Sequence, residues 1–279
     1  SVFEEKTGLS PKTIAKNTSS FSKFYNQMNS EVFGQEKNIK VIHNALACVK
    51  AGLNDPQKPL SNFLFIGSTS VGKTFTAKKI AKYFFGNEKS FLQLNMSEYQ
   101  DKTGISKLMG ANAGYVGYEE GGLLTEYVRN NPNCVVLFDE VEKCEPKVLD
   151  ILLQILDEGY ITDNLNRRID LSKTIVVMTS NVGYKEKTEK SMGFVQQKEN
   201  EDEIYKNSLK KYFRPELLAR VDEVLVFNEL GESELLKIIR AELSAIQDRL
   251  SERNMDVCIN KNVEQHILNE IKMQKNHAR

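Results

Sequence analysis

The segment Gly67-Ser-Thr-Ser-Val-Gly-Lys-Thr74 constrains this chain more than any other feature. It matches the pattern GxxxxGK[ST], with the apolar run Phe63–Ile66 before it and a helical stretch, Lys73–Phe85, after it. A strand that turns over glycines into a helix presents backbone N–H groups to an anion, and Gly67 and Gly72 place no Cβ in the way of a phosphate. Lys73 sets a charge against β- and γ-phosphates, Thr74 offers a hydroxyl to Mg²⁺, and the helix N-terminus adds its dipole. Ser68, Thr69, Ser70 and Val71 complete the loop and Phe75 follows it, so 67–75 is the predicted nucleotide-binding segment. The alternative is a plain glycine turn before a helix; the flanking strand and helix favour the phosphate loop.

A second run, Val135-Val-Leu-Phe-Asp-Glu140, reads as a buried strand whose C-terminal end presents two carboxylates. Asp139 suits the water shell of Mg²⁺, and Glu140 suits a base that polarises an attacking water. A solvated acidic pair at a strand end is the alternative. Together the two motifs predict an ATP-hydrolysing site using ATP/ADP and Mg²⁺.

The rest of the pattern alternates. Apolar positions Ile39, Ile42, Ala45, Leu46 and Val49 mark an amphipathic helix between Gln35 and Leu53. Strand-like runs follow at Phe91–Leu94, Cys134–Phe138, Thr174–Met178 and Glu223–Phe227, separated by helical patterns such as Val148, Leu149, Leu152, Leu153 and Leu156. That order predicts an α/β fold with a parallel sheet covered by helices on both faces. Residues 1–30 read as a helical linker that docks on the body, and 31–228 as the large subdomain. A smaller, mainly helical unit is expected over 229–279: a helix over Glu232–Arg253, a short strand at Val257–Ile259 and a helix over Val263–Met273. It reads as incomplete, and the chain reads as a segment of something longer. The charged stretch Lys185–Glu203 reads as a mobile loop with one apolar island.

Charge and cysteine usage narrow the partners. Lys and Arg total 38 against 38 Asp and Glu, a balance that tilts away from nucleic acid. The apolar runs Val135–Phe138 and Ile175–Met178 are far too short to cross a bilayer. Cys48, Cys134, Cys144 and Cys258 form no CxxC pair, and His43, His266 and His277 are scattered, which points to reduced thiols without a zinc site. The compartment expected is reducing: cytoplasm, or an organelle stroma or matrix.

In order along the chain stand the blocks FGQEKNI, GSTSVGKT, LNMSEY, GYVGYEEGG, VVLFDEVEK, ILLQILDEG, TSNVG and FRPELLARVDE. With these blocks the chain, from about Val32 to Arg279, resembles the second ATPase module of a Clp-type AAA+ unfoldase, of the ClpA or ClpC kind. The resemblance implies an AAA+ P-loop NTPase fold and assigns roles. Asn181 matches the sensor-1 position that orients the attacking water. Arg220 matches the arginine finger, which reaches the nucleotide of a neighbouring subunit, and so implies a homo-oligomeric ring, hexameric in the family. Arg279 falls at the sensor-2 position, and Val32 and Phe33 lie where the family packs the adenine ring.

The resemblance also places two substrate-handling segments. Gly114-Tyr-Val-Gly117 resembles the pore loop that grips unfolded polypeptide, with Tyr115 and Val116 as the gripping residues. Met192-Gly-Phe194, inside the charged loop, resembles the tripeptide by which ClpA- and ClpC-like unfoldases dock on a ClpP-type peptidase; ClpB-class disaggregases lack it. Four positions depart from the family pattern: Asn112-Ala113 replaces a proline pair, Ala219 stands where Asn is usual before the finger, and His277 stands where Gly is usual before sensor 2. The functions open to such a chain are an unfoldase feeding a peptidase, a ClpB-like disaggregase, a nucleic-acid-directed motor and a silent nucleotide-bound scaffold. The first is the expectation.

Overall fold

The computed structural model describes residues 21–277 apart from positions 22, 102, 111–120, 183–208 and 256. Its centre is a five-stranded parallel sheet in the order β2-β3-β6-β1-β7, where β1 is Ser61–Ile66, β2 Phe91–Asn95, β3 Val135–Asp139, β6 Ile175–Ser180 and β7 Glu223–Val226. Every residue of β1 and of β6 is buried, as are the first four of β3. These are the continuous apolar runs that a strand covered on both faces requires.

Side chains alternate across the sheet and build two apolar layers. On one face Leu64, Val136, Phe138, Val176 and Met178 pack on Val148, Leu152, Ile155 and Leu156 of the helix Pro146–Glu158. On the other, Phe63, Phe65, Val135, Leu137, Ile175 and Val177 pack on Ile39, Ile42 and Leu46 of helix α1 (Glu36–Lys50) and on Ala77, Ile80 and Ala81 of helix α2 (Lys73–Phe85). The buried positions of α1 recur at steps of three and four, as expected. Phe21, Phe24 and Met28 join the same layer from a helical segment over 23–31, so the described part of the expected linker does dock on the body.

Smaller helices complete the large unit: α3 (Thr103–Met109), α4 (Leu123–Asn130), then α5 (Pro146–Glu158) and α6 (Pro215–Leu218). Helix α5 starts with Pro146 in its first turn and Glu145 accepting from the Lys147 N–H at 2.8 Å. It ends on Gly159 at φ +62°, where an added Cβ would stand 2.1 Å from the Gln57 carbonyl oxygen.

Two expectations about elements need correction. An antiparallel hairpin, β4 (Tyr160–Thr162) with β5 (Arg168–Asp170), was not expected. Its strands are three residues each and mostly polar, and the turn is organised by the Asp163 carboxylate, which accepts the N–H groups of Leu165 and Arg167 and the Arg167 guanidinium. Conversely, Val257–Ile259 forms no strand: among the described residues no strand pairs with it, and the Val257 carbonyl accepts from the Gln247 side chain instead. It connects helices α7 (Glu232–Ser251) and α8 (Lys261–His277), which meet through ion pairs Arg240–Glu264 and Lys272–Glu232 and bury Ile239 and Leu268. No helix among the described residues is long and apolar enough to cross a membrane.

Because all five strands are parallel, their C-terminal ends lie along one edge of the sheet. Register sets Ile66 beside Ser180 and Val226, and Phe138 beside Met178. The segments after β1, β3 and β6 therefore converge, and in an open α/β sheet that edge is where ligands bind.

Candidate active site

A cleft of about 520 Å³ opens at that edge, lined by Thr69, Ser70, Gly72, Lys73, Thr74, Phe75, Asn95, Asp139, Glu140 and Asn181. The loop after β1 curls over it with Gly67 at φ +152° and Gly72 at φ +99°. Four non-glycine residues among those described have positive φ, and two of them, Ser70 (φ +63°) and Glu140 (φ +59°), line this cleft. Backbone held in that sparsely populated region is strain that the surroundings must sustain, and such strain clusters at functional sites.

Lys73 is buried, and its ammonium donates to the Gly67 carbonyl at 2.7 Å, the Ser68 carbonyl at 2.7 Å and Asn181 Oδ1 at 2.8 Å. Burial pushes its pKa down to about 8, against the opposing pull of Asp139, Glu142 and Glu140. Asn181 passes the contact on, its Nδ2 donating to Glu140 Oε1 at 3.0 Å. The other Glu140 oxygen accepts from Lys143 Nζ at 2.7 Å, and the Glu140 N–H donates to Thr179 Oγ1 at 3.0 Å. The Thr179 hydroxyl in turn donates to Asp139 Oδ1. Asp139 Oδ2 accepts from Thr74 Oγ1 at 3.3 Å and from Gln93 Nε2 at 3.0 Å. One hydrogen-bonded chain thus joins the phosphate loop, the end of β3 and the end of β6.

The donor set has the chemistry of a magnesium–nucleotide site. A hydroxyl and a carboxylate, Thr74 and Asp139, are hard oxygen ligands within hydrogen-bond distance of one another. Beside them stand a loop of backbone N–H groups at a helix N-terminus and one buried cation, Lys73, which suit a polyphosphate.

A second cleft of about 690 Å³ adjoins the first and shares Ser70, Gly72 and Phe75 with it. Val32, Phe33 and Val71 line one wall, and Leu230, Ile238, Ala241 and Ala245 line the other. Apolar walls next to a phosphate loop fit the flat face of a base. Gln35 supports the junction: its side chain donates to the Asn228 carbonyl at 2.9 Å and the Val71 carbonyl at 3.4 Å, and its Oε1 accepts from the Asn228 N–H and Asn38 Nδ2, both at 3.1 Å.

The structure thus gathers Thr69, Ser70, Gly72, Lys73, Thr74, Phe75, Asp139, Glu140 and Asn181 around one cleft, with Val32, Phe33 and Val71 around the next. Gly67 and Ser68 touch the first through their carbonyls. Arg220 stands apart, its guanidinium donating to Asp157 Oδ2 at 2.5 Å and to the Glu216 carbonyl at 2.7 Å. Tyr115, Val116, Met192, Gly193, Phe194 and Arg279 lie outside the described residues. Sequence reading missed Gln93, Asn95, Glu142, Lys143, Thr179 and Gln35. Thr179, Glu142 and Lys143 lie within two or three residues of the motif carboxylates and Asn181, a proximity that could have marked them; Gln93 reaches Asp139 only through the β2–β3 register.

Comparison with known proteins agrees with this geometry. Residues 58–224 match the model of the AAA domain (Cdc48 subfamily), so the chain belongs to that family of ATPase domains. Within it, the chain is of the Clp type. It is 43% identical over 241 residues to the chaperone protein ClpB of Helicobacter hepaticus, a match spanning 86% of this chain and 28% of that protein. It is 39% identical over 249 residues to the ATP-dependent Clp protease ATP-binding subunit ClpC of Staphylococcus saprophyticus, spanning 87% of this chain and 30% of that one. A cryo-EM reconstruction of closed-state Hsp104 with ATPγS and FITC casein matches with a TM-score of 0.80 and 35% identity, over 94% of this chain and 44% of the other. The chain spans less than a third of the length of these two curated relatives.

Proposed function

We propose that the chain is the second ATPase module of a Clp-type unfoldase, with a large subdomain over 31–228 and a smaller helical one over 229–279. The observation that carries the reading is the hydrogen-bonded chain from Lys73 through Asn181 and Glu140, and from Thr179 through Asp139 to Thr74. Bound Mg²⁺ would neutralise the β- and γ-phosphate charge. Thr74 and Asp139 would hold it. Lys73 and the N–H groups of 67–74 bind the phosphates, and Val32 and Phe33 seat the base. Asn181 holds Glu140 so that the carboxylate takes a proton from the attacking water. By family resemblance Arg279 would serve the γ-phosphate as sensor 2, and Arg220 would supply positive charge to the neighbouring subunit's site, which requires a ring, a hexamer in the family.

The work done with ATP is polypeptide translocation. Tyr115, with Val116 beside it and glycines on both sides in sequence, would serve as an aromatic paddle in the ring pore, suited to unfolded chains of any sequence. Met192, Gly193 and Phe194 dock on a ClpP-type peptidase, since a hydrophobic island in a charged loop suits a partner's apolar pocket. The compartment is a reducing one, cytoplasm or an organelle stroma or matrix, in keeping with four cysteines that pair with nothing. A ClpB-like disaggregase without a peptidase is the second reading, favoured by the 43% identity to a chaperone of that name.

Degradation of a folded, tagged substrate by the full-length protein with its peptidase separates the two. Replacing Met192 and Phe194 with Ser is expected to abolish degradation while ATP turnover stays within twofold. Undiminished degradation by that variant would exclude docking through the island.

A further inference from the structure

Arg220 is held from two elements at once. Its Nε–H donates to Asp157 Oδ2 at 2.5 Å, from the last turn of α5, and Nη1 donates to the Glu216 carbonyl at 2.7 Å, from α6. The guanidinium is a rigid plane with five donors, so two contacts through different nitrogens set both the direction and the rotation of that plane. Among the described residues Nη2 has no partner. Six residues earlier a parallel contact pins the same segment: Arg214 Nη1 donates to Asp150 Oδ1 at 2.9 Å. Asp150 and Asp157 are seven residues apart on α5, two helical turns along one face. The acidic face of α5 therefore carries α6 and the arginine behind it as one unit.

We propose that Asp157 is a positioning residue for catalysis in the adjoining subunit: it orients the Arg220 guanidinium so that its free Nη2 end points outward toward that subunit's phosphates. The proposal rests on the reading of Arg220 as a finger acting in trans. An unsupported arginine would sample many rotamers and lose that entropy each time it met the phosphate. Asp157 removes the cost beforehand by engaging Nε, a donor that the reaction does not need. Both ion pairs are at least one-third exposed, and pairs that exposed contribute little to stability. Loss of Asp157 should therefore appear in turnover and not in folding.

The test is steady-state ATP hydrolysis by the full-length protein, with oligomer size measured under the same conditions, for Asp157→Ala, Asp157→Asn, Arg220→Ala and the double variant Asp157→Ala/Arg220→Ala. Misplacing a reacting group by about 1 Å costs roughly 10²-fold, so Asp157→Ala is expected to lower kcat by about 10- to 100-fold, with KM for ATP within about twofold and the ring intact. Asp157→Asn keeps an oxygen for the Nε–H and is expected to recover most of the rate. In the Arg220→Ala background, Asp157→Ala is expected to do nothing further. The proposal is overturned if Arg220→Ala is slow while Asp157→Ala runs at or above the wild-type rate, if Asp157→Asn is no better than Asp157→Ala, or if the Asp157→Ala loss persists in full without Arg220. A wild-type rate for Arg220→Ala overturns the underlying finger reading instead.

Discussion

Lys73 carries the most distinctive electrostatics of the cleft. An ordinary lysine stays charged to pH 10 and beyond, whereas burial among the loop carbonyls brings this one down to about 8. The sign follows directly. In the folded chain the charged form is disfavoured, so its cost to folding is fully present below pH 8 and is relieved as pH rises from there toward the unfolded value of 10.5. A bound polyphosphate reverses the balance by stabilising the charge. ADP binding at pH 9 is therefore expected to take up a proton at Lys73, and affinity to fall as pH rises above 8, by at most about tenfold per pH unit. Calorimetry in two buffers of different ionisation enthalpy detects the uptake. Lys73→Met should abolish it, and a buffer-independent binding enthalpy for the wild-type protein at pH 9 would contradict the assignment.

At this scale much of the site was legible. Lys73, Thr74, Asp139, Glu140 and Asn181 belong to motifs whose spacing presupposes a strand before each of them or a helix after, and parallel strands bring such ends to one edge. Their connections were not legible. Thr179 bridges Glu140 to Asp139 because of the β3–β6 register, and Gln93 reaches Asp139 because β2 lies beside β3. Registers of that kind depend on the assembled sheet and not on local pattern.

Among elements, the strands were the easiest to read, since β1, β3 and β6 are buried on both faces and must be apolar throughout. The β4–β5 hairpin was missed because its order comes from one carboxylate, Asp163, and not from periodicity. The stretch Val257–Ile259 shows the reverse error, local β propensity with no strand among the described residues to pair with. Helix α1 offers an element-scale test. Gln35, just ahead of it, is 1% exposed and ties the Val71 carbonyl to Asn228 after β7. Gln35→Ala leaves those groups without a buried partner, at a cost of about 1–3 kcal/mol. The expected result is a lower thermal midpoint together with weaker ADP binding, because the same side chain braces the phosphate loop. A variant as stable as wild type and with unchanged affinity would show that the loop holds its shape without it.

For the whole molecule, the alternation of strands and helices correctly indicated an α/β fold with a parallel sheet, the two motifs indicated an ATPase, and the match to the AAA domain over 58–224 places the chain in that family. The proposed function depends on one premise, that this cleft hydrolyses ATP with Glu140 as the base. The most direct measurement is ATP turnover by Glu140→Gln beside an independent measurement of ATP binding. The amide keeps the shape of the side chain and an oxygen for Asn181, so binding is expected to persist while turnover falls by about 10²–10⁴-fold. Turnover at the wild-type rate in that variant would remove Glu140 from the chemistry and contradict the account of the site.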